Sequence, residues 1–262
     1  MHFVPVKSIT QQAQGMVLKV RESLVGQRTQ LANTLRGHAA EFGVIAGKGL
    51  GKVGPLLVAI EQEATIPSEA KDMAIVLGQQ IAELDTKIKA IEVKLTAAHK
   101  TNPVSQRLAT SAADAFRHIG SLRDPIPGVG PVIALTLALE VDPTAFESGR
   151  HLAAWIGLTP KEHSTGGKQR MGDRAREGGG ISRAGNERLR VLLVVGATSV
   201  INAAMKPGSK QMTDWLRALL LRKPRKVVAV ALANKIARVA WVLMTRGEVY
   251  RRPAAPVAAA VA

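Results

Sequence analysis

The sequence predicts a mainly α-helical protein in which a coiled-coil helix precedes a second, strongly basic helical domain. Three observations carry this reading. Ala, Leu, Val, Arg and Gln dominate without sustained period-two alternation; apolar residues recur three and four apart over two long stretches; and glycine and proline cluster between the periodic segments. The 262 residues, 46% of them hydrophobic, suffice for one large or two modest domains.

The first periodic stretch runs from Thr10 to about Phe42, where Ala13, Val17, Val20, Leu24, Leu31 and Leu35 keep helical spacing. Arg21 and Arg28 lie on a neighbouring stripe and give this amphipathic helix a cationic edge suited to nucleic-acid contact. The glycine-rich "FGVIAGKGLGKVGPL" breaks it. Between Glu69 and Lys100, Ala74, Leu77, Ile81, Leu84, Ile88, Ile91, Leu95 and Ala98 form unbroken a/d heptads, a coiled-coil signal. Its flanks are acidic, so its partner is a protein surface: another helix of the same chain or a second copy. Pro103 breaks the heptads and sets the expected boundary. Residues 1–103 are then a linker helix and coiled coil, 104–252 a second domain, and 253–262 a frayed low-complexity tail.

The net charge is +16, from 36 Lys+Arg against 20 Asp+Glu, and calls for a polyanionic partner. Because the charge is spread along the chain, nucleic acid is favoured over a membrane surface. Aromatic residues make up 3%, which argues against base-stacking platforms. No cysteine is present, so disulfides and thiolate metal sites are excluded. The first twenty residues lack a secretory signal pattern, and the longest apolar run, near Val191–Ala204, is too short to span a bilayer, so a cytoplasmic location is expected.

In "IPGVGPVIALTLA", Gly128 and Gly130 flank Val129 and Pro131 opens a helix. The pattern fits a helix-hairpin-helix, whose glycines let backbone N–H groups approach a DNA phosphate; it also fits a plain tight connection between helices. Downstream, "HSTGGKQR" places Ser164 and Thr165 in a glycine-rich loop with Lys168 and Arg170 behind them. Hydroxyls beside cations suit attack on a phosphodiester, with His163 as an adjacent base, and equally suit an ordinary surface loop. In "ISRAGNERLR", Ser182, Gly185 and Asn186 form a turn or N-cap, and Arg183, Arg188 and Arg190 lead into a buried helix. From Lys206 to Arg252 there are twelve basic residues and two acidic ones, and Lys235 and Arg238 share a face of a long apolar helix, a phosphate-gripping edge.

"IPGVGPVIALTLALEV", "GRHLAAWIGLTPKEHSTGGKQR", "ISRAGNERLRVLLVVGA" and "VVAVALANKIARVAW" occur in an order and spacing that resembles the C-terminal domain of the DEDD-type insertion-sequence transposases of family one hundred and ten, which includes pilin-gene invertases. "VRESLVGQRTQLANTLRGHAAEFG" is similar to the segment preceding that family's coiled coil, so the likeness covers nearly the whole chain. The resemblance implies a RuvC-like N-terminal domain holding Mg2+ on a D-E-D-D carboxylate set, oligomerisation through the coiled coil, and a C-terminal serine that attacks DNA at sites specified by a structured guide RNA. The serine maps onto Ser164, with Ser182 and Thr165 as alternatives. DNA-binding positions are Gly128, Val129, Gly130, Lys168, Arg170, Arg183, Arg188, Arg190, Lys235 and Arg238.

Two features depart from that pattern. Residues 1–21 contain no Asp or Glu, and the pairs Glu61/Glu63, Glu83/Asp85 and Glu140/Asp142 fall on helical segments instead of strands, so the metal half of the site is expected to be missing and no cofactor is expected in this chain. "GDRAREGGG", Gly172–Gly180, lengthens the route from the serine loop to the next helix. The expectation is a bacterial, nucleoid-associated transposase for insertion-sequence DNA, in a truncated copy. The alternative is a non-catalytic, oligomerising nucleic-acid-binding module that interferes with full-length transposase. A basic RNA-binding structural protein is a third reading.

Overall fold

The computed structural model describes residues 6–109, 126–161, 180–207, 209, 212–248 and 250. Among them the protein is mainly α-helical without a β-strand; two single residues, Pro160 and Ile181, form an isolated antiparallel bridge. The chain divides into two compact units, Met1–Ala97 and Ala98–Ala262.

In the first unit, helix α1 (Ile9–Glu41) opens on a capping box, in which Ser8 accepts from the Gln11 backbone and Gln11 accepts from the Ser8 backbone. A 3-10 turn (Leu50–Lys52) leads into α2 (Val53–Gln62), and α3 runs from Ser68 to Thr101. Arg21 pairs with Glu92 at 2.5 Å and Arg28 pairs with Asp85. Seven residues forward on α1 answer to seven residues backward on α3, so the two helices lie antiparallel. The heptad residues Ile81, Ile88 and Leu95 are buried, and Leu77, Leu84 and Ile91 are partly so. Ala32, Leu35 and Ala39 of α1, Leu56 and Ile60 of α2, and Ala74 and Ile81 of α3 share one core. Of the two partners the heptads allowed, the fold supplies the one in the same chain.

In the second unit, α3 gives way to α4 (Pro103–Leu108), where Asn102 caps the Ser105 N–H and Pro103 occupies the first turn. His99 Nδ1 and the Ser105 hydroxyl, both buried, meet at 2.7 Å and fasten this corner. Then follow α5 (Pro131–Glu140), α6 (Gly149–Trp155), α7 (Glu187–Ala204), α8 (Asp214–Arg222) and α9 (Arg225–Arg246). Helix α9 is the organiser: Ala233, Ile236, Ala237, Ala240 and Leu243 enter a core with Ala134 and Leu137 of α5, Leu152 of α6 and Leu189 and Leu193 of α7. By length and composition α9 could cross a bilayer, but its apolar face is taken up by this core. Its alanines let neighbours approach closely. A Cβ on Gly149 would lie 3.0 Å from Arg238 Cα.

Between α5 and α6, Asp142 caps a 3-10 turn (Pro143–Ala145). The Thr144 hydroxyl (2.6 Å) and then its backbone N–H (2.9 Å) hold the Asp142 carboxyl below its ordinary value of 3.8. A lowered folded-state value means that the cap stabilises above the unfolded-state value and fades as pH falls through the folded one. Asp142→Ala is therefore expected to cost about 1 kcal/mol in a thermal melt at neutral pH, with the gap from the parent closing on acidification through the carboxylate range.

Candidate nucleic-acid interface

Ile126 to Val129 form a turn closed by the Val129 N–H on the Ile126 carbonyl at 3.0 Å, with Pro127 and Gly128 at its centre. Gly128 has φ +83, the left-handed conformation that a type II turn needs at this place. At Gly128 the turn is partly exposed and packs against α7. A Cβ there would meet the Gly196 carbonyl oxygen of α7 at 2.8 Å and Val200 at 2.9 Å, and a Cβ on Gly196 would overlap the Gly128 carbonyl oxygen. Gly128 thus serves close packing of turn on helix, and Val129 is buried in the core. Gly130 has open space around it and precedes α5 without a side-chain cap. Of the Gly128–Gly130 trio, Gly130 is the exposed one. The helix that would complete a helix-hairpin-helix falls on residues outside those described.

The next element is a brace around the loop that carries the candidate serine. Lys161 N–H donates to the Gly180 carbonyl (3.0 Å) and Ser182 N–H to the Thr159 carbonyl (2.9 Å), so the ends of the intervening loop are held together. Ser164, Thr165, Lys168, Arg170 and His163, together with most of the Gly172–Gly180 insertion, lie outside the described residues. Below the brace, Gly157 (φ +80) and Gly185 (φ +74) interlock: a Cβ on the first would strike the Ala184 backbone and one on the second the Trp155 carbonyl oxygen. Arg183 also has positive φ, +55. Arg190, buried, donates through one guanidinium nitrogen to the Ile156 and Ala184 carbonyls at 3.0 Å each and joins both sides. The Ser182 hydroxyl is buried here without a hydrogen-bond partner among the described residues.

The cations expected on DNA differ in their contacts within the chain. Arg190 braces the backbone. Arg188 pairs with Glu140 at 2.8 Å, both side chains largely covered, and the other Glu140 oxygen accepts from the Asn186 amide at 2.8 Å. That bond turns Asn186 so that its oxygen caps the Leu189 N–H at 3.0 Å. Arg21 and Arg28 face Glu92 and Asp85 across the α1–α3 pair, so the cationic edge expected on the first helix is directed inward; Asp85 is in turn held below its ordinary value, first by Lys89 and then by Arg28. Arg183 and Arg238 are exposed, and Lys235, also exposed, has its Nζ 4.4 Å from the centre of the Trp215 ring.

Charge is divided unevenly between the units. Residues 1–97 hold 11 Lys+Arg against 9 Asp+Glu, and residues 98–262 hold 25 against 11. The Gly157–Gly185 interlock and the Gly128–Gly196 contact escaped the sequence reading. For the second, a glycine inside the otherwise apolar "VLLVVGATSV" was the available signal of close approach. Among the described residues no three His, Asp or Glu converge in a way that could hold a metal ion.

Residues 122–213 match the family described as Transposase IS116/IS110/IS902. Along 96% of its length the chain is 46% identical to a Sinorhizobium fredii protein named as transposase y4pF/y4sB, 36% identical to a Pseudomonas aeruginosa protein named as a family 20 transposase, and 32% identical to the transposase for insertion sequence element IS1328 of Yersinia enterocolitica. The matched regions cover 60%, 69% and 69% of those relatives, so the chain spans about two thirds of their length or somewhat less. Motifs in order, a helical basic unit built around them, and similarity of this extent have one common account: the chain belongs to the IS116/IS110/IS902 transposase family.

Proposed function

We propose that this chain serves transposition of insertion-sequence DNA as the part of a transposase that holds nucleic acid and presents a serine loop to it. The observation that carries this reading is the concentration of positive charge in the unit that contains the family segment, 25 Lys+Arg against 11 Asp+Glu. The pinned loop ends at Thr159–Lys161 and Gly180–Ser182 support Ser164 as the nucleophile, with Gly130, Arg183, Lys235 and Arg238 on the DNA and the turn before α5 acting as the hairpin of a helix-hairpin-helix. A structured guide RNA is the further polyanion this unit would hold, in the bacterial cytoplasm.

Magnesium on a carboxylate set belongs to the intact family enzyme. The described residues do not fit that role: Glu61 lies on α2 with Glu63 at its end, Glu83 and Asp85 lie on α3, and Glu140 is engaged by Arg188 and Asn186. No metal-assisted step is therefore assigned to these residues, and the role assigned to them is the binding of DNA. Copies associate through the α2–α3 face, where Val58 and Ile75 are exposed beside a groove of about 310 Å³ floored by Leu57 and Gly78.

A covalent adduct between purified 1–262 and DNA, formed with magnesium and guide and abolished by Ser164→Ala, would overturn the assignment of this chain to binding alone. The second reading, interference with full-length transposase, is favoured by the same lack of converging carboxylates among the described residues. Adding this chain to an active full-length relative is expected to suppress transposition, and unchanged transposition would exclude it.

A further inference from the structure

We propose that the corner joining α8 to α9, Arg222–Lys226, is a sequence-independent clamp on the phosphate backbone of duplex DNA; this rests on the nucleic-acid-holding reading above and gives it a location. Of the seven described cations first considered for this role, four are engaged elsewhere: Arg21, Arg28 and Arg188 face carboxylates and Arg190 faces two carbonyls. The corner differs. Arg222, Lys223, Arg225 and Lys226 are four cations in five residues, all exposed, and none forms an ion pair among the described residues.

Three further features fit the assignment. Pro224 stiffens the bend and places two cations on each side of it. Arg222 Nε donates to the Ala218 carbonyl at 3.1 Å, which orients its guanidinium. The first turn of the 22-residue α9 has no acidic residue and no side-chain cap, so its partial positive charge adds to that of the side chains. The corner is fixed to the unit from behind by Leu216, Val228 and Ala229, which share a core with Ile201 and Ala204 of α7. Leu221, 82% exposed, and Val227, 50% exposed, lie among the cations. Apolar side chains between phosphate-binding cations suit deoxyribose, which lacks the 2′-hydroxyl that RNA-binding surfaces engage with polar groups. Few aromatics are available for stacking on unpaired bases, which leaves the duplex backbone as the ligand.

The test is equilibrium binding of the full chain to a 30-base-pair DNA duplex of arbitrary sequence across a salt series, with an RNA duplex of equal length beside it. One variant carries Arg222→Gln, Lys223→Gln, Arg225→Gln and Lys226→Gln; a control of equal charge change carries Lys7→Gln, Lys19→Gln, Lys48→Gln and Lys52→Gln, also exposed. The corner variant is expected to lose at least about tenfold in DNA affinity at 0.1 M salt and to show a log–log salt slope shallower by about 3, near 0.9 per phosphate contact removed. The control is expected to stay within about twofold. Equal losses in both variants overturn the clamp and leave the broader reading standing, as does a corner variant that binds DNA as the parent does. Loss on RNA as large as on DNA overturns the assignment to DNA. A parent chain that binds no duplex DNA overturns both readings. Circular dichroism checks that the substituted surface leaves the fold intact.

Discussion

Gly185→Ala is expected to be the most destabilising Gly→Ala substitution among the described residues of the second unit, lowering stability by about 4 kcal/mol and the melting temperature by roughly 10 °C. The added Cβ has nowhere to go. It would overlap the Trp155 carbonyl oxygen, which is backbone and cannot rotate aside, and φ +74 already disfavours any side chain. Relief requires the Ser182–Asn186 segment to move away from the end of α6, which breaks the Arg190 bonds to Ile156 and Ala184. Gly180→Ala, where the added methyl meets nothing within 4 Å, is the matched control and is expected to stay within about 0.5 kcal/mol. Differential scanning calorimetry of the two variants beside the parent gives the answer, and equal melting temperatures would show that the interlock is not rigid. A second readout is specific to position: if the brace holds the serine loop, Gly185→Ala raises protease cleavage between Lys161 and Gly180 at temperatures well below the melt.

Glu140→Ala is expected to cost about 3 kcal/mol, measured by urea unfolding. The carboxylate does two jobs at once: it faces the Arg188 guanidinium at 2.8 Å and fixes the Asn186 amide that caps α7. Withdrawing it leaves a largely covered cation without its carboxylate and frees the cap to rotate. Arg188→Met alone removes the buried charge and is expected to cost less. The double variant is expected to fall short of the summed single losses by 1 kcal/mol or more, the signature of two residues in direct contact. Strict additivity would mean that the pair is not coupled.

The helical class and the break at Pro103 were legible because helical periodicity, capping residues and proline act over a few residues of chain. The partner of α3 was not, since heptads specify a seam without saying whose helix fills it. A clue was nonetheless present: Arg21 and Arg28 are seven apart, as are Asp85 and Glu92, a spacing that lets two helices of one chain pair cation with carboxylate twice, while the antiparallel direction comes from the structure. Gly128 was singled out as a turn glycine, without its packing role. The turn's need for positive φ is local, whereas its contact with Gly196 is set by folding of residues almost seventy positions away. Arginines were the hardest to assign. Arg183, Arg188 and Arg190 look alike in the sequence, yet one is exposed, one faces Glu140 and one binds two carbonyls, a difference that only tertiary packing creates.

The ion pairs across α1 and α3 bear on how fast the protein finds its target. With 11 Lys+Arg against 9 Asp+Glu the first unit is close to electroneutral, and the pairs hold Arg21 and Arg28 beside carboxylates, so a distant polyanion pulls almost entirely on the second. Diffusive encounters are then led by the unit that contains the family segment. Association should accelerate steeply as ionic strength falls, while charge-neutralising changes in the first hundred residues leave that rate nearly untouched.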